Sequence, residues 1–373
     1  MSDETSIVSP APLEAFVTQL FRQHGLSDSD AGFVANTLVQ ADLWGHQSHG
    51  VLRTSWYIER LRHGVMTPET HPEIVRDRNC FAVVDGKEGV GQIIARQAME
   101  MAIAKAKVHG VGTVAVRNSN HFGTVMYFTR LAAEQGCIAF MTTNGGKAMA
   151  PWGGAKNKII GTNPWSISAP GGKYPPLMMD MANTGVARGK IYLAKNKHEK
   201  IPFGWAIDAD GAPTDDPSAA INGLILPMAH HKGYAIATLM DVLAGVLSGS
   251  NFLSAVNGPY RYDKLSGCGH FITVYHIDDF IDLPDYTRRI EAFVEEIKSQ
   301  PLAQGVEEIF LPGEMESRAD ARQRVSGISL PPDTWAELEK LATETGTQDL
   351  LKAAIPQFSQ PVAREPQRIR VVS

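Results

Sequence analysis

Ser48, His49 and Gly50 form a triplet that could carry acid–base chemistry, and Arg53 and Tyr57 follow it closely. Histidine is the side chain whose unperturbed pKa lies nearest to neutral pH, so it can accept or donate a proton there. Arginine presents a planar fork that holds a carboxylate through two parallel hydrogen bonds. The two residue types together are suited to hold a carboxylic acid and to move a proton at its neighbouring carbon. The alternative interpretation is a helix end with a capping serine and a surface histidine.

Three further segments bear groups that could do chemistry. Residues 117–123 (RNSNHFG) follow a predicted strand and lead into a helix, which is where α/β proteins usually bind ligands, although His121 could also be structural. Residues 161–164 (GTNP) form a turn that could present the Thr162 hydroxyl, or simply a turn. Residues 230–234 (HHKGY) open a long helix with cations, which oppose the helix dipole, so this end favours a bound anion.

The composition describes an ordinary globular chain. Its 373 residues are enough for two domains, with 43% hydrophobic and 20% charged residues. The net charge of −5 and the lack of a local basic patch argue against nucleic-acid binding. The acidic start has no secretory signal, and apolar stretches are too short for a membrane span. Three scattered cysteines form no metal-type pair and suit a reducing cytoplasm.

Hydrophobic periodicity predicts a helical start and then an alternating α/β core. Helices are expected near residues 11–25, after Ser27, after Gly50, and at 92–108, 127–135, 231–248, 288–297 and 331–346. Strands are expected at 81–86, 111–118, 137–144 and 270–277, with short strands in KIIGT and LMMDMA.

Gly86, Gly89 and Gly91 lie between a predicted strand and a helix, as in the dinucleotide fingerprint G-x-G-x-x-G. The match fails, because the third small residue is missing and no acid ends the next strand. The sequence therefore predicts a glycine-rich turn here rather than a Rossmann phosphate loop.

Taken together, the segments resemble the malate/L-lactate dehydrogenase family over roughly residues 10–345. This family also contains ureidoglycolate, sulfolactate and diketogulonate dehydrogenases and the cyclic-imine (piperideine- and pyrroline-2-carboxylate) reductases. The matching text is SHGVLR (48–53), NSNHFGT (118–124), APWGG (150–154), GTNPWSISAP (161–170), MDMANTGVARGKI (179–191), IPFGWAIDADGAPTDDP (201–217), HHKGYAI (230–236) and LPGE (311–314).

The resemblance implies an α/β protein with a non-Rossmann cofactor-binding sheet and a mainly helical domain for dimerisation. The expected division is a discontinuous helical domain (1–75 with 280–350), an NAD(P)-binding domain (76–279) and an extended or disordered tail (351–373). Members are usually homodimers that use NAD or NADP. We therefore expect a cytoplasmic NAD(P)-dependent 2-hydroxyacid dehydrogenase with a small carboxylate substrate, no metal, and no nucleic-acid or membrane partner.

The resemblance also implies roles for single residues. The catalytic candidates are His121, His49 and Ser48, with His121 as the proton acceptor. The substrate-binding candidates are Arg53, Tyr57, Lys147, Thr162, Arg188 and Gly189. The cofactor-binding candidates are His121, Phe122, Gly123, Thr124, Asp180, Met181, Ala182, His231, Lys232, Pro312, Gly313 and Glu314.

Two lysines bear on the substrate. Imine reductases of the family carry an aspartate after the glycine equivalent to Gly189, whereas this chain has Lys190, which favours a hydroxy acid over a cyclic imine. Lys147 lies where many members of the family carry a small or apolar residue. Its side chain would either face solvent or face the substrate as a second cation, which would favour a dicarboxylate or sulfonate. An imine reductase remains the alternative enzyme; other classes considered are a cofactor sensor without catalysis and a metalloprotein using His230 and His231.

Overall fold

The computed structural model describes residues 6–196 and 198–356, apart from the side chains at 188, 189, 193 and 196. Its helices are α1 (Pro10–Gln23), α2 (Asp28–Leu43), α3 (Thr54–Arg62), α4 (Gly91–His109), α5 (Met126–Ala133), α6 (Arg188–Asn196), α7 (Pro217–Asn222), α8 (His231–Asp241), α9 (Leu283–Lys298), α10 (Glu314–Ser326), α11 (Pro332–Thr345) and α12 (Gln348–Ala353). Its strands are β1 (Ser6–Val8), β2 (Glu73–Arg78), β3 (Phe81–Asp85), β4 (Val111–Ser119), β5 (Cys137–Thr143), β6 (Lys147–Met149), β7 (Ile160–Gly161), β8 (Trp165–Ala169), β9 (Leu177–Met181), β10 (Ala206–Ile207), β11 (Pro213–Thr214), β12 (Leu224–Ile225), β13 (Cys268–His276) and β14 (Ile328–Leu330).

Local rules explain most helix ends. Ser27 caps α2, since its hydroxyl accepts the Asp30 amide hydrogen at 3.2 Å. Helix α9 begins earlier than predicted, at Leu283, because a proline in its first turn suits a helix start. Helix α10 was not predicted, since it has no apolar stripe; ion pairs one turn apart, such as Asp320 with Arg324, support it instead.

A mixed sheet of seven strands forms the centre of the molecule, in the order β2-β3-β4-β13-β5-β8-β9. Within this described sheet β3 and β4 pair in parallel, and every other neighbouring pair is antiparallel. Strand β13 comes from late in the chain and enters between β4 and β5. The predicted α/β class is confirmed, and the segment that carries His121 begins directly after β4.

A first hydrophobic core joins both ends of the described chain. β1 pairs with β14, and Phe16 and Leu38 belong to the same buried cluster as Leu341 and Leu351. A second core lies between the sheet, α4 and α5, and a small third core lies among α6, α7 and β10–β12. The first core positions α2 and α3, which flank the Ser48–Arg53 segment.

The predicted start of the tail at residue 351 is wrong. Helix α12 continues to Ala353, and the buried Leu351 and Ala354 complete the first core, because apolar residues there find a partner surface on α1. Residues 357–373, the remainder of that prediction, lie outside the described residues. Helix α9 contacts the turn between β8 and β9, where Tyr286 donates to the Pro170 carbonyl at 3.0 Å.

None of the helices in the described ranges combines the length and apolar character needed to cross a bilayer.

Candidate active site

The segment from Ser48 to Arg53 is coiled into two consecutive 3₁₀ turns between α2 and α3. The Ser48 hydroxyl lies 2.9 Å from His49 Nδ1, so the two side chains are hydrogen-bonded. Arg53 Nε donates to the Ser48 carbonyl at 2.6 Å, and its guanidinium lies 3.7 Å from the centre of the Trp56 ring. The hydrogen bond uses Nε, the inner nitrogen of the guanidinium. The two terminal nitrogens form the fork that is suited to a carboxylate.

His121 is brought to the same place from a distant part of the sequence. The Tyr57 hydroxyl lies 2.7 Å from His121 Nδ1, and Tyr57 itself is 1% exposed. The His121 ring stacks on the His49 ring, with centroids 5.9 Å apart and planes inclined by 19°. Because Nδ1 is engaged by tyrosine, Nε2 is the ring nitrogen available to a substrate oxygen.

The glycines of the failed dinucleotide motif make room for the His121 segment. A Cβ added at Gly91 would collide with the carbonyl oxygens of Asn120 and His121, and one at Gly86 would lie 2.9 Å from the Asn118 carbonyl. The two glycines therefore let the 118–121 segment lie directly against the turn before α4. The lack of a side chain at Gly86 and Gly91 thus allows close packing, which agrees with the predicted glycine-rich turn.

Burial and neighbouring cations keep both imidazoles uncharged at neutral pH. Burial, with smaller contributions from the neighbouring Arg53 and His46, lowers the pKa of His49 to about 4. Burial also holds the pKa of His121 well below its ordinary value, with repulsion from His49 and Arg53 adding to the effect. Neutral imidazole is the form that can accept a proton, so the pair is poised as base rather than acid.

A second group of predicted residues gathers at β9, on one edge of the sheet. Asp180 is half-buried and accepts the Met126 amide hydrogen at 2.9 Å, so it caps the start of α5. The Met178 amide donates to the Pro312 carbonyl at 3.1 Å, which places the 312–314 segment against the same strand.

His46 connects this edge to the histidine pair. Its Nε2 lies 3.4 Å from a carboxylate oxygen of Glu316 on α10. Burial raises the pKa of Asp180, and the Met126 amide and the nearby His46 oppose that shift; His46 also contributes to the lowered pKa of His49. His46 therefore lies within electrostatic reach of both groups.

A third group is organised by two buried asparagines that the sequence analysis did not single out. Asn183 Nδ2 donates to the Thr162 and Asn163 carbonyls at 3.1 and 2.6 Å. Asn163 Nδ2 donates to the Ala237 carbonyl at 2.9 Å, and the Met228 amide donates to the Asn183 carbonyl. These bonds bring the Thr162 turn, the end of β9 and the approach to α8 together. The sequence signal that could have identified these residues is an asparagine next to a glycine-rich turn.

The other predicted residues are placed as follows. Lys147 is exposed on β6 and pairs with Gly161, next to Thr162. Arg188 and Gly189 begin α6, and the Arg188 side chain lies outside the described part of the structure. Met181 ends β9 and the exposed Ala182 follows it. Tyr57 contacts His121, whereas the sequence prediction placed it on the substrate.

The predicted cofactor region offers groups that suit a dinucleotide. Thr124 is 6% exposed, and its hydroxyl finds no hydrogen-bond partner among the described residues. A buried unpaired hydroxyl costs about 1–3 kcal/mol, which a polar ligand atom would offset. The backbone at Gly123 is left-handed and open, with the His49 carbonyl 3.9 Å from an added Cβ. Lys232 is exposed at the positive end of α8, where a pyrophosphate would be favoured.

Comparison with known proteins gives a consistent result. The sequence profile of the malate/L-lactate dehydrogenase family matches residues 8–339. The chain is 37% identical to the L-sulfolactate dehydrogenase of Methanocaldococcus jannaschii, over 91% of this chain and 97% of that protein. It is 35% identical to the malate/(S)-sulfolactate dehydrogenase of Methanothermus fervidus, over 91% and 98%. The solved structure of the M. jannaschii sulfolactate dehydrogenase superposes with a TM-score of 0.87 at 36% identity, covering 92% of this chain and 99% of that chain.

Proposed function

The chain belongs to the malate/L-lactate dehydrogenase family, and on that premise we propose that it interconverts a small 2-hydroxy acid and its 2-keto acid with a nicotinamide cofactor. The observation that carries the proposal is the meeting of His121 with His49 and Arg53, which come from a second, distant segment of the chain. Two uncharged imidazoles beside a fixed guanidinium are suited to a 2-hydroxy acid, whose hydroxyl loses a proton while the carbon that bears it loses a hydride.

The bound cofactor supplies hydride acceptance in one direction and hydride donation in the other. The terminal nitrogens of Arg53 hold the substrate carboxylate bidentately and so fix the reacting carbon. His121 Nε2 accepts the hydroxyl proton during oxidation, while Nδ1 carries its proton toward the Tyr57 oxygen. In the reverse direction the imidazolium returns that proton to the keto oxygen.

His49 is the second proton-transfer candidate, and Ser48 holds its Nδ1. The stacked rings repel each other's positive charge, so a proton gained by one imidazole disfavours a proton on the other. The pair therefore handles one proton at a time.

For the cofactor, we propose contacts from residues 121–124, 180–182 and 312–314 and from His231 and Lys232. The unpaired Thr124 hydroxyl and the exposed Lys232 support this assignment. We also propose that the cofactor lies on the mixed sheet rather than on a doubly wound parallel one, which fits a sheet in which β3 and β4 alone pair in parallel among its described strands. Either NAD or NADP is compatible with the proposal.

For the substrate, we propose a 2-hydroxy acid of the malate, lactate, sulfolactate or ureidoglycolate type, with contacts from Thr162, Arg188 and Gly189. Relatives are named malate, sulfolactate and ureidoglycolate dehydrogenases, and Lys190 departs from the imine-reductase pattern. Lys147 follows Gly145 and Gly146, and the Gly145 amide donates to Asn163 Oδ1 at 3.1 Å. This bond holds the Lys147 segment beside the Thr162 turn, which supports Lys147 as a second cation for a dicarboxylate or sulfonate.

We propose a homodimer in the cytoplasm, with residues 76–279 as the cofactor domain and residues 1–75 with 280–350 as the helical domain. An exposed apolar stripe on α8 and the helical turn after it lies in the proposed cofactor domain and supports an interface that extends beyond the helical domain. Its side chains are 42–60% exposed: Leu239, Val242, Val246 and Leu247. A second copy of the chain would cover them.

The proposal is tested by following the absorbance of the reduced nicotinamide with the purified protein. Malate, lactate, sulfolactate and ureidoglycolate are offered with each oxidised cofactor, and 2-keto acids and cyclic imines with each reduced cofactor. We expect turnover of at least one 2-hydroxy acid, and a loss of at least about 10²-fold in kcat for His121→Ala, because general acid–base catalysis is worth that much. Turnover of imines alone, or wild-type turnover in His121→Ala, would refute it.

A further inference from the structure

A buried carboxyl lies directly beneath the Ser48–Arg53 segment. Asp42, near the end of α2, is 2% exposed, and its Oδ2 accepts the Val51 amide hydrogen at 2.8 Å. A Cβ added at Gly50 would overlap the carboxyl group of Asp42 at all three of its atoms. The carboxyl thus occupies the space that a side chain at residue 50 would take, in contact with the backbone that carries His49.

The same aspartate is held from its other side by α10. Gln323 Nε2 donates to the carbonyls of Asp42 and Leu43, each at 2.9 Å. Gln40 Nε2 donates to Asp320 at 2.6 Å, which adds a second tie between α2 and α10. The end of α2 is therefore a rigid base, and the Asp42 side chain is its contact with the catalytic turns.

The turns themselves are short and depend on this contact. The His49 amide donates to the His46 carbonyl at 2.8 Å, and the Arg53 amide donates to the Gly50 carbonyl at 2.9 Å. The Gly50 amide, between them, forms a longer bond, since it lies 3.3 Å from the Gln47 carbonyl. Two successive turns joined at a glycine have little stiffness of their own, so a fixed group under the joint decides their relative orientation.

We propose that Asp42 is a positioning residue: its carboxyl is the support on which Gly50 and Val51 rest, and it sets the placement of His49 and Arg53 together. The inference rests on the proposed dehydrogenase function. It is a packing and hydrogen-bonding role, so the carboxyl needs an acceptor oxygen and its shape but no negative charge. In agreement, burial raises the pKa of Asp42 to about 8.

The experiment compares Asp42→Asn with Asp42→Ala in the full chain, using steady-state kinetics on a substrate of the wild type. Asparagine keeps the acceptor oxygen and the volume, so we expect its kcat/KM to stay within about threefold of wild type. Alanine removes both, and a small misplacement of reacting groups can cost about 10²-fold, so we expect a loss between tenfold and a hundredfold. The loss should appear in both KM, through Arg53, and kcat, through His49.

The matched control is Asp278→Ala, which removes another carboxylate that accepts a backbone amide hydrogen, that of Leu283 at 2.8 Å, outside the site. We expect its kinetics to match wild type. Activity of Asp42→Ala within threefold of wild type would overturn the proposal, and so would an equal loss in Asp42→Asn, since that would mean the charge is what matters.

A second pair of variants tests the contact through stability, whatever the catalytic activity of Asp42→Ala. Gly50→Ala should be destabilised and nearly inactive, because its methyl collides with the Asp42 carboxyl. Adding Asp42→Ala vacates that space, so the double variant should have a higher melting temperature than Gly50→Ala alone. No recovery would overturn the contact. Since melting needs no substrate, this arm stays informative if the wild type turns over no 2-hydroxy acid, an outcome that refutes the proposed function instead.

Discussion

Tyr57 offers the sharpest test of the mechanism, because the sequence and the structure assign it different roles. The sequence analysis places it on the substrate, whereas its hydroxyl lies 2.7 Å from His121 Nδ1 and the side chain is 1% exposed. Tyr57→Phe removes the hydroxyl and keeps the ring, so it separates these roles.

The size of the effect follows from the state of His121 during the reaction. When His121 Nε2 has taken the substrate proton, its Nδ1–H donates to the Tyr57 oxygen as a hydrogen bond from a charged group. Such bonds contribute about 1.5–3 kcal/mol, and each 1.36 kcal/mol is tenfold in rate. We therefore expect kcat to fall by about ten- to a hundredfold in Tyr57→Phe, with little change in KM.

The neighbouring backbone works in the same direction. The Gly123 amide approaches His121 Nδ1 at 3.4 Å, and an amide can only donate. Without the tyrosine oxygen, this donor favours the tautomer that carries its proton on Nε2, which cannot accept another proton there. The acidic limb of the kcat/KM profile should also move to lower pH, since the imidazolium has lost an acceptor and the pKa of His121 falls.

The assay is steady-state kinetics of 2-hydroxy acid oxidation as a function of pH. Tyr286→Phe is the matched control, because its hydroxyl donates to the Pro170 carbonyl at 3.0 Å, outside the site, and its kinetics should match wild type. A kcat within twofold of wild type, or a loss confined to KM, would refute the positioning role and return Tyr57 to the substrate.

Three further predictions concern the asparagine that holds the Thr162 turn, a buried histidine in the sheet and the proposed dimer. Asn183→Ala leaves the Asn163 carbonyl without its donor, so the free energy of unfolding should fall by about 1–3 kcal/mol in urea titrations, while the exposed Asn222→Ala serves as control. His270 lies on β13 and is fully buried, and burial lowers its pKa to about 3. The unfolded chain therefore binds more protons than the folded chain between about pH 6.5 and 3, so the free energy of unfolding should fall as the pH falls across that window. The fall should be less steep in His270→Gln, and equal slopes in the two proteins would argue against the assignment. Leu239→Glu should convert the proposed dimer to a monomer by light scattering, and an unchanged mass would exclude this face from the interface.

The sequence determined the helical and strand elements wherever a clear apolar period was present, as in α4 and β4, because that pattern reports which face is buried. It also determined the family, through short segments spread from residue 48 to residue 314. Elements without such a pattern, such as the exposed β2 and the polar α10, escaped prediction because their mostly exposed side chains show no apolar period.

Only the tertiary structure decided which of the marked residues act together. The stacking of His121 on His49 and its bond to Tyr57 depend on Gly86, Gly91 and the packing of α3, none of which lies near residue 121 in sequence. Burial then made both imidazoles neutral, since desolvation is a property of the surrounding protein and not of the residue type. The sequence specifies which functional groups are present. The distances between these groups and their pKa values are set by contacts between residues that lie far apart in the sequence.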